Sequence, residues 1–308
     1  MGLHYFCLIT ELQAKYKINS LIDRKLYYQT SDKIFIKFLV VKKSVSNSNI
    51  MLPINNEKAL DKNRLLLAIG NSRIHWAWFE GDCLIKMWNT LHSNRINNNY
   101  IYQNILSNKI AKQNLTDVPI FIASVVPQQE KLWKNYPNSY VIMLKDLKLK
   151  NIYPTMGIDR ALAVWGGGEN YGYPCLVIDG GTALTFTGVD RQKKLVGGAI
   201  LPGLGTQFLT LNQKTAALPK VELPTTLPPR WASDTKGAIA SGIIYTIVAG
   251  IYSYILDWQQ KYPNSQIIFT GGDGEVLAQY LQQQYPDLKS AVKCDRNLIF
   301  YGMNQMFD

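Results

Sequence analysis

The sequence predicts an α/β protein built from two copies of one unit, with a cleft between the copies. Two stretches carry this reading. "LLLAIGNSRIHWAWF" (65–79) and "CLVIDGGTALTFTG" (175–188) each run from an apolar strand, through a tight turn of glycine and small polar residues, into a second strand. Around each stretch the same order of elements recurs, β-β-β-α-β-α, and repeats on this scale imply a duplicated domain.

The elements follow in order. "RLLLAIG" from Arg64 reads as a buried strand, "RIHWAWFEG" as an alternating one and "CLIKMWNT" as a third, an antiparallel meander. A helix is expected over 97–112, a buried strand over 118–126, a short helix near 128–135 and a strand over 139–144. "GIDRALAVWGGGENYG" has helical spacing, and its glycines 166–168 are expected to end that helix. The scheme then restarts. "PCLVIDGG", "ALTFTGVD" and "LVGGAILPG" are three strands, with "VDRQKK" turning between the last two. Helices are expected over 204–214 and 235–259, a buried strand in "SQIIFTGGDG", a helix in "GEVLAQYLQQQY" and a last helix over 296–306. The division expected is 1–61 as an N-terminal extension, 62–172 as the first domain and 173–308 as the second.

The first 60 residues do not share this pattern. They hold a net charge of +5 against +6 for the rest, and "KKSVSNSN" reads as a linker ahead of Met51. An appendage that the working protein does not need is expected, a docked element being the alternative. At 308 residues, 47% hydrophobic and 18% charged, the chain is long and apolar enough for buried cores. No apolar run reaches the roughly 18 residues that span a bilayer. "MGLHYFCLITE" has no basic region of an export signal, so a cytoplasmic protein without a membrane partner is expected. Cys7, Cys83, Cys175 and Cys294, like His4, His75 and His92, show no metal-ligand spacing. The net charge of +11 lacks a dense basic run with interleaved aromatics, so no nucleic-acid partner is expected.

The turns carry the chemistry. In "IDGGTALT", Gly180 and Gly181 let the backbone approach a ligand, Thr182 adds a hydroxyl, and successive N–H groups form a nest for an anion. Asp179 would repel a bare phosphate, which points to a cation between them. "IGNSR" offers Gly70, Asn71, Ser72 and Arg73 at the equivalent place, with Ala68 where the other copy has its acid. "FTGGDG" opens a helix at a strand end, a place for part of a nucleotide. In "GIDR", Asp159 either favours the helix dipole or acts as a base for a hydroxyl, and Arg160 is a fork for a carboxylate.

Taken in order, "IGNSR", "GIDR", "IDGGTALT", "GGAILPG", "SDTKGAIASG" and "FTGGDG" resemble type III pantothenate kinases, over about residues 64–308. The resemblance implies duplicated ribonuclease-H-like domains of the actin-like, sugar-kinase superfamily. It implies ATP-dependent phosphorylation of pantothenate, the first step towards coenzyme A, by a homodimer with its site near the interface. Asp159 is then the general base. Gly157, Ile158, Asp159 and Arg160 form the substrate loop, with Thr235 and Tyr153 as further substrate contacts. Ala68, Ile69, Gly70, Asn71, Ser72, Arg73, Ile74, His75 and Thr182 contact ATP. Asp179 holds a monovalent cation, potassium or ammonium, and Mg²⁺ accompanies ATP. The family's first turn reads Asp-x-Gly-Asn-Thr, so Ala68 departs from it, and the spacing of Tyr153 is short. Two other readings stay open: another small-molecule kinase or phosphatase on the same scaffold, and a non-catalytic relative that binds ligands.

Overall fold

The computed structural model describes residues 63–96 and 118–307, together with the backbone of 25–30 and 33–38. The helix expected over 97–112 lies outside the described residues. The chain forms two compact units, Met1–Asp61 and Lys62–Asp308. In the first, strands β1 (Lys25–Thr30) and β2 (Lys33–Phe38) pair antiparallel.

The second unit holds two five-stranded sheets with one topology. The first comprises β3 (Arg64–Ile69), β4 (Ile74–Glu80), β5 (Cys83–Thr90), β6 (Ile120–Ser124) and β7 (Ser139–Val141), in the order β5-β4-β3-β6-β7. The second comprises β8 (Cys175–Gly180), β9 (Ala183–Val189), β10 (Leu195–Pro202), β11 (Gln266–Thr270) and β12 (Val292–Cys294), in the order β10-β9-β8-β11-β12. Each is a three-stranded antiparallel meander extended by two parallel strands. The meander needs only tight turns, whereas the parallel strands need crossovers. Every residue of β3 is buried, as expected of a central strand covered on both faces.

Six helices complete the described part: α1 (Pro127–Lys134), α2 (Ile158–Tyr171), α3 (Leu204–Lys214), α4 (Thr235–Lys261), α5 (Gly274–Gln284) and α6 (Leu298–Asn304). Some strands are shorter than expected. β6 ends at Ser124, and Pro127 opens α1 at a position where its missing N–H costs nothing. β7 ends at Val141, before Asp146 takes the Met143 N–H at 2.8 Å in a 3₁₀ turn.

Two expectations are corrected. The glycines 166–168 do not end α2, which runs on to Tyr171. They are there for contact: a Cβ on Gly166 would lie 2.0 Å from the Leu298 carbonyl oxygen, and one on Gly302 would lie 2.1 Å from that of Leu162. Backbone thus meets backbone between α2 and α6. Secondly, α4 is long and apolar enough to cross a membrane by length and composition, with a mean hydropathy of 1.8 over its best window. It packs instead along the second sheet, where Ile239, Ile243, Ile247, Ile251 and Ile255 join Ile178, Phe186 and Phe269 in one core.

The first sheet has its own core on the opposite face, where Trp76 stacks on Trp88 at 5.6 Å and meets Trp133 of α1 edge-on at 5.1 Å. α6 ties the sheets together. Asn304 accepts from Arg64 Nε at 2.8 Å, and Phe307 meets Phe121 at 4.4 Å.

Candidate active site

The second sheet turns one face to α2. A Cβ on Gly167 would lie 3.0 Å from Val177 Cγ2 and 3.2 Å from Ile268 Cδ1. Past the start of α2 the sheet carries Asp179 at the end of β8, flanked in register by Thr185 of β9 and Thr270 of β11. Asp179 is confined by the third glycine turn. Gly271 has φ +83°, a conformation that favours glycine, and its Cβ would fall 2.2 Å from Asp179 Oδ1. That turn is fastened by Asp273 N–H donating to Gly180 O at 2.7 Å, while Asp273 Oδ2 accepts from Gly205 N–H at 3.4 Å.

The turns of the two copies meet. Ser72 Oγ and Thr182 Oγ1 lie 2.9 Å apart, although 110 residues separate them. In the first turn Gly70 N–H bonds Arg73 O at 3.0 Å, and His92 Nε2 donates to Gly70 O at 2.8 Å. Asn71, Ser72, Arg73 and His75 are exposed, whereas Ala68, Ile69 and Ile74 are buried. His75 pairs across the strands with Ala68, and its Nδ1 meets Asn89 Oδ1 at 2.7 Å. In the second turn the Thr182 carbonyl accepts from Gly203 N–H at 2.9 Å and from Thr206 Oγ1 at 2.7 Å.

The "GIDR" loop enters α2 at Gly157, where a Cβ would fall 2.5 Å from Asp159 Oδ1. That oxygen accepts from the Arg160 N–H at 2.8 Å. Burial raises the Asp159 carboxyl above its usual range, opposed by the Arg160 N–H and guanidinium. Burial, then the charge of Asp159, push Asp179 up to about 7, and Arg160 pulls it down. The two acids therefore share one site and repel each other. Arg160 is itself buried, donating from Nε to Thr187 at 3.2 Å, from Nη1 to the Tyr153 hydroxyl at 2.9 Å and from Nη2 to Phe186 O at 3.2 Å. Its guanidinium thus locks Tyr153 to β9, and Gly198 leaves the room it occupies, since a Cβ there would lie 2.7 Å from Nη2.

The fold therefore brings together Asp159, Arg160, Tyr153, Asp179, Thr182 and Ser72. Thr235 is the exposed first residue of α4, behind its cap Asp234. The sequence did not single out His92, Asn89, Thr187 or Gly198. Their partners lie 14 to 38 residues away, and no local pattern marks them. Asp273 sits in the quoted "FTGGDG" motif and could have been read there.

The profile of the type III pantothenate kinases matches residues 64–257. This chain belongs to the type III pantothenate kinase family. A type III pantothenate kinase of Nostoc sp. is 45% identical over 276 residues, which cover 82% of this chain and 97% of that one. One of Synechocystis sp. is 47% identical over 254 residues, covering 82% and 92%. Two solved structures share the fold. A chain from Campylobacter jejuni, named as a Baf family transcriptional activator, has a TM-score of 0.51 at 24% identity, covering 79% of this chain and 96% of its own. One from Sinorhizobium meliloti, named as a 2-dehydro-3-deoxygalactonokinase, has a TM-score of 0.50 at 10% identity, covering 79% and 97%. The duplicated α/β architecture expected from the paired turns is present, as two five-stranded sheets of one strand order.

Proposed function

We infer that the chain phosphorylates pantothenate with ATP to give 4'-phosphopantothenate, the first step of coenzyme A biosynthesis. The observation that carries the reading is the meeting of Ser72 and Thr182 from the two turns, in a unit that also seats Asp159 and Asp179 as mutually repelling acids. The turns, 68–75 and Thr182, receive the phosphates through N–H groups and hydroxyls. Asp159 takes the proton of the pantothenate hydroxyl as its oxygen attacks the γ-phosphorus, and ADP leaves with the bonding pair. Asp159's raised affinity for a proton suits that role. Gly157, Ile158, Arg160 and Tyr153 shape the acceptor side.

The acids also fit a cation. Asp179 with Asp159 nearby is a site whose repulsion a bound ion relieves, so we assign Asp179 to a monovalent cation, potassium or ammonium. Among the described residues no group of three or more His, Cys, Asp or Glu forms a metal cage. Mg²⁺ is therefore read as held chiefly by the nucleotide's own phosphates, where it offsets their charge. Ala68 gives it no ligand. A homodimer is part of this reading. Trp231 is 90% exposed four residues before the exposed Thr235, which suits a segment that reaches into a second copy. The two lobes are 62–172 and 173–308.

The test is direct. Purified protein incubated with ATP, Mg²⁺ and pantothenate is expected to form phosphopantothenate, faster in potassium than in sodium. Absence of product in both salts would overturn the reading.

A further inference from the structure

Along β10, Gly198 abuts Arg160, and Pro202 pairs with Ala183, next to Thr182. Ile200 stands between them on the same face, since side chains of a strand alternate. It pairs with Thr185, and Thr185 pairs with Asp179. One level of the sheet therefore presents Thr270, Asp179, Thr185 and Ile200 side by side on four strands. Neighbouring strands lie about 4.8 Å apart, so Ile200 stands roughly 10 Å from Asp179. Thr185 is 7% exposed and its hydroxyl is not fully enclosed, so it can bond a ligand laid over this level. Ile200, by contrast, is 63% exposed, although it is a large aliphatic side chain beside a polar row.

The position of this strip limits what it can meet. Arg160 and Asp159 lie towards one end and the phosphate-facing Thr182 towards the other. An acceptor whose hydroxyl sits at Asp159 while facing the phosphates has the level of Thr185 and Ile200 within reach of its body. Beside the carbinol that is phosphorylated, pantothenate has a quaternary carbon with two methyl groups, then a secondary hydroxyl. We propose that Thr185 and Ile200 form the strip that reads this part of the acceptor: Thr185 bonds the secondary hydroxyl, and Ile200 packs against the methyl-bearing carbon. The proposal rests on the pantothenate reading above.

The test compares Thr185→Val, which keeps shape and removes the hydroxyl, with Ile200→Ala. The acceptors are pantothenate and N-(4-hydroxybutanoyl)-β-alanine, which lacks both the methyl groups and the secondary hydroxyl. Each variant is expected to raise KM for pantothenate about tenfold, as loss of one buried hydrogen bond or a few apolar groups does. KM for ATP should stay within twofold, and the rise should shrink to under about threefold with the truncated acceptor. A pantothenate KM within twofold of wild type in both variants overturns the proposal, as does an equal rise with both acceptors. So does a potassium activation constant that shifts in Thr185→Val while the pantothenate KM does not, or an altered molecular mass of Ile200→Ala in solution. Wild-type protein that forms no phosphopantothenate overturns the function itself, a result distinct from variants that match an active wild type.

Discussion

At Asp179, burial and the charge of Asp159 act together against ionisation. Its carboxyl is pushed up to about 7, against about 3.9 for a free aspartate. Between these values the folded chain keeps a proton that the unfolded chain has lost. Stability at this group therefore falls as pH rises from about 4 to about 7, with no further loss above. A cation that binds the ionised form reverses the penalty where the penalty is complete. Replacing sodium with potassium is thus expected to raise Tm by roughly 2–6 °C at pH 8 and by much less at pH 5, a range that corresponds to one or two kcal/mol. Thermal melts at equal ionic strength check this, and an undiminished response in Asp179→Asn would take the ion away from this residue. Asp159→Asn is a separate case. It is expected to lower kcat by about 10²–10⁴-fold while circular dichroism and Tm stay near wild type. The two acids stood out in "GIDR" and "IDGG" as candidates. The partners of Arg160 did not: Thr187, Phe186 and Tyr153 converge on it only through the register of β9 and the lie of α2.

Among the elements, α2 and α6 are held by backbone-to-backbone contact. Gly166→Ala and Gly302→Ala each place a methyl group about 2 Å from a carbonyl oxygen of the other helix. Each is expected to cost about 1–3 kcal/mol, the usual penalty of overpacking, or more where backbone must move. Gly250→Ala in α4 is the contrast, since its added Cβ meets nothing within 4 Å. It should stabilise by about 0.5–1 kcal/mol through helix propensity. Urea unfolding of the three variants measures both. The same contact explains where reading by pattern stopped short. Strands and turns follow from alternation and from glycine, which are local, so the meanders of both sheets were legible. "GGG" in "AVWGGGENY" looks like a helix end by every local rule, because the second helix that requires it lies more than 130 residues further on.

For the whole molecule, the family match begins at residue 64 and the compact unit at Lys62. A chain starting at Met51 is therefore expected to keep kcat/KM within about twofold of full length, a comparison that purified proteins settle, and a loss of tenfold or more would give residues 1–50 a part in the reaction. Duplication was visible in the sequence because both copies spell the turn alike. The join between the copies was not, since it depends on α6 returning to the first sheet. That return has a consequence for how the protein is made. Arg64 heads the first strand of the first sheet, and Asn304, its hydrogen-bond partner, is translated 240 residues later. At about 5–20 residues per second, the ribosome needs on the order of tens of seconds to span that interval. The first sheet thus begins to form well before it can be finished, since its opening strand is locked only once α6 has been made.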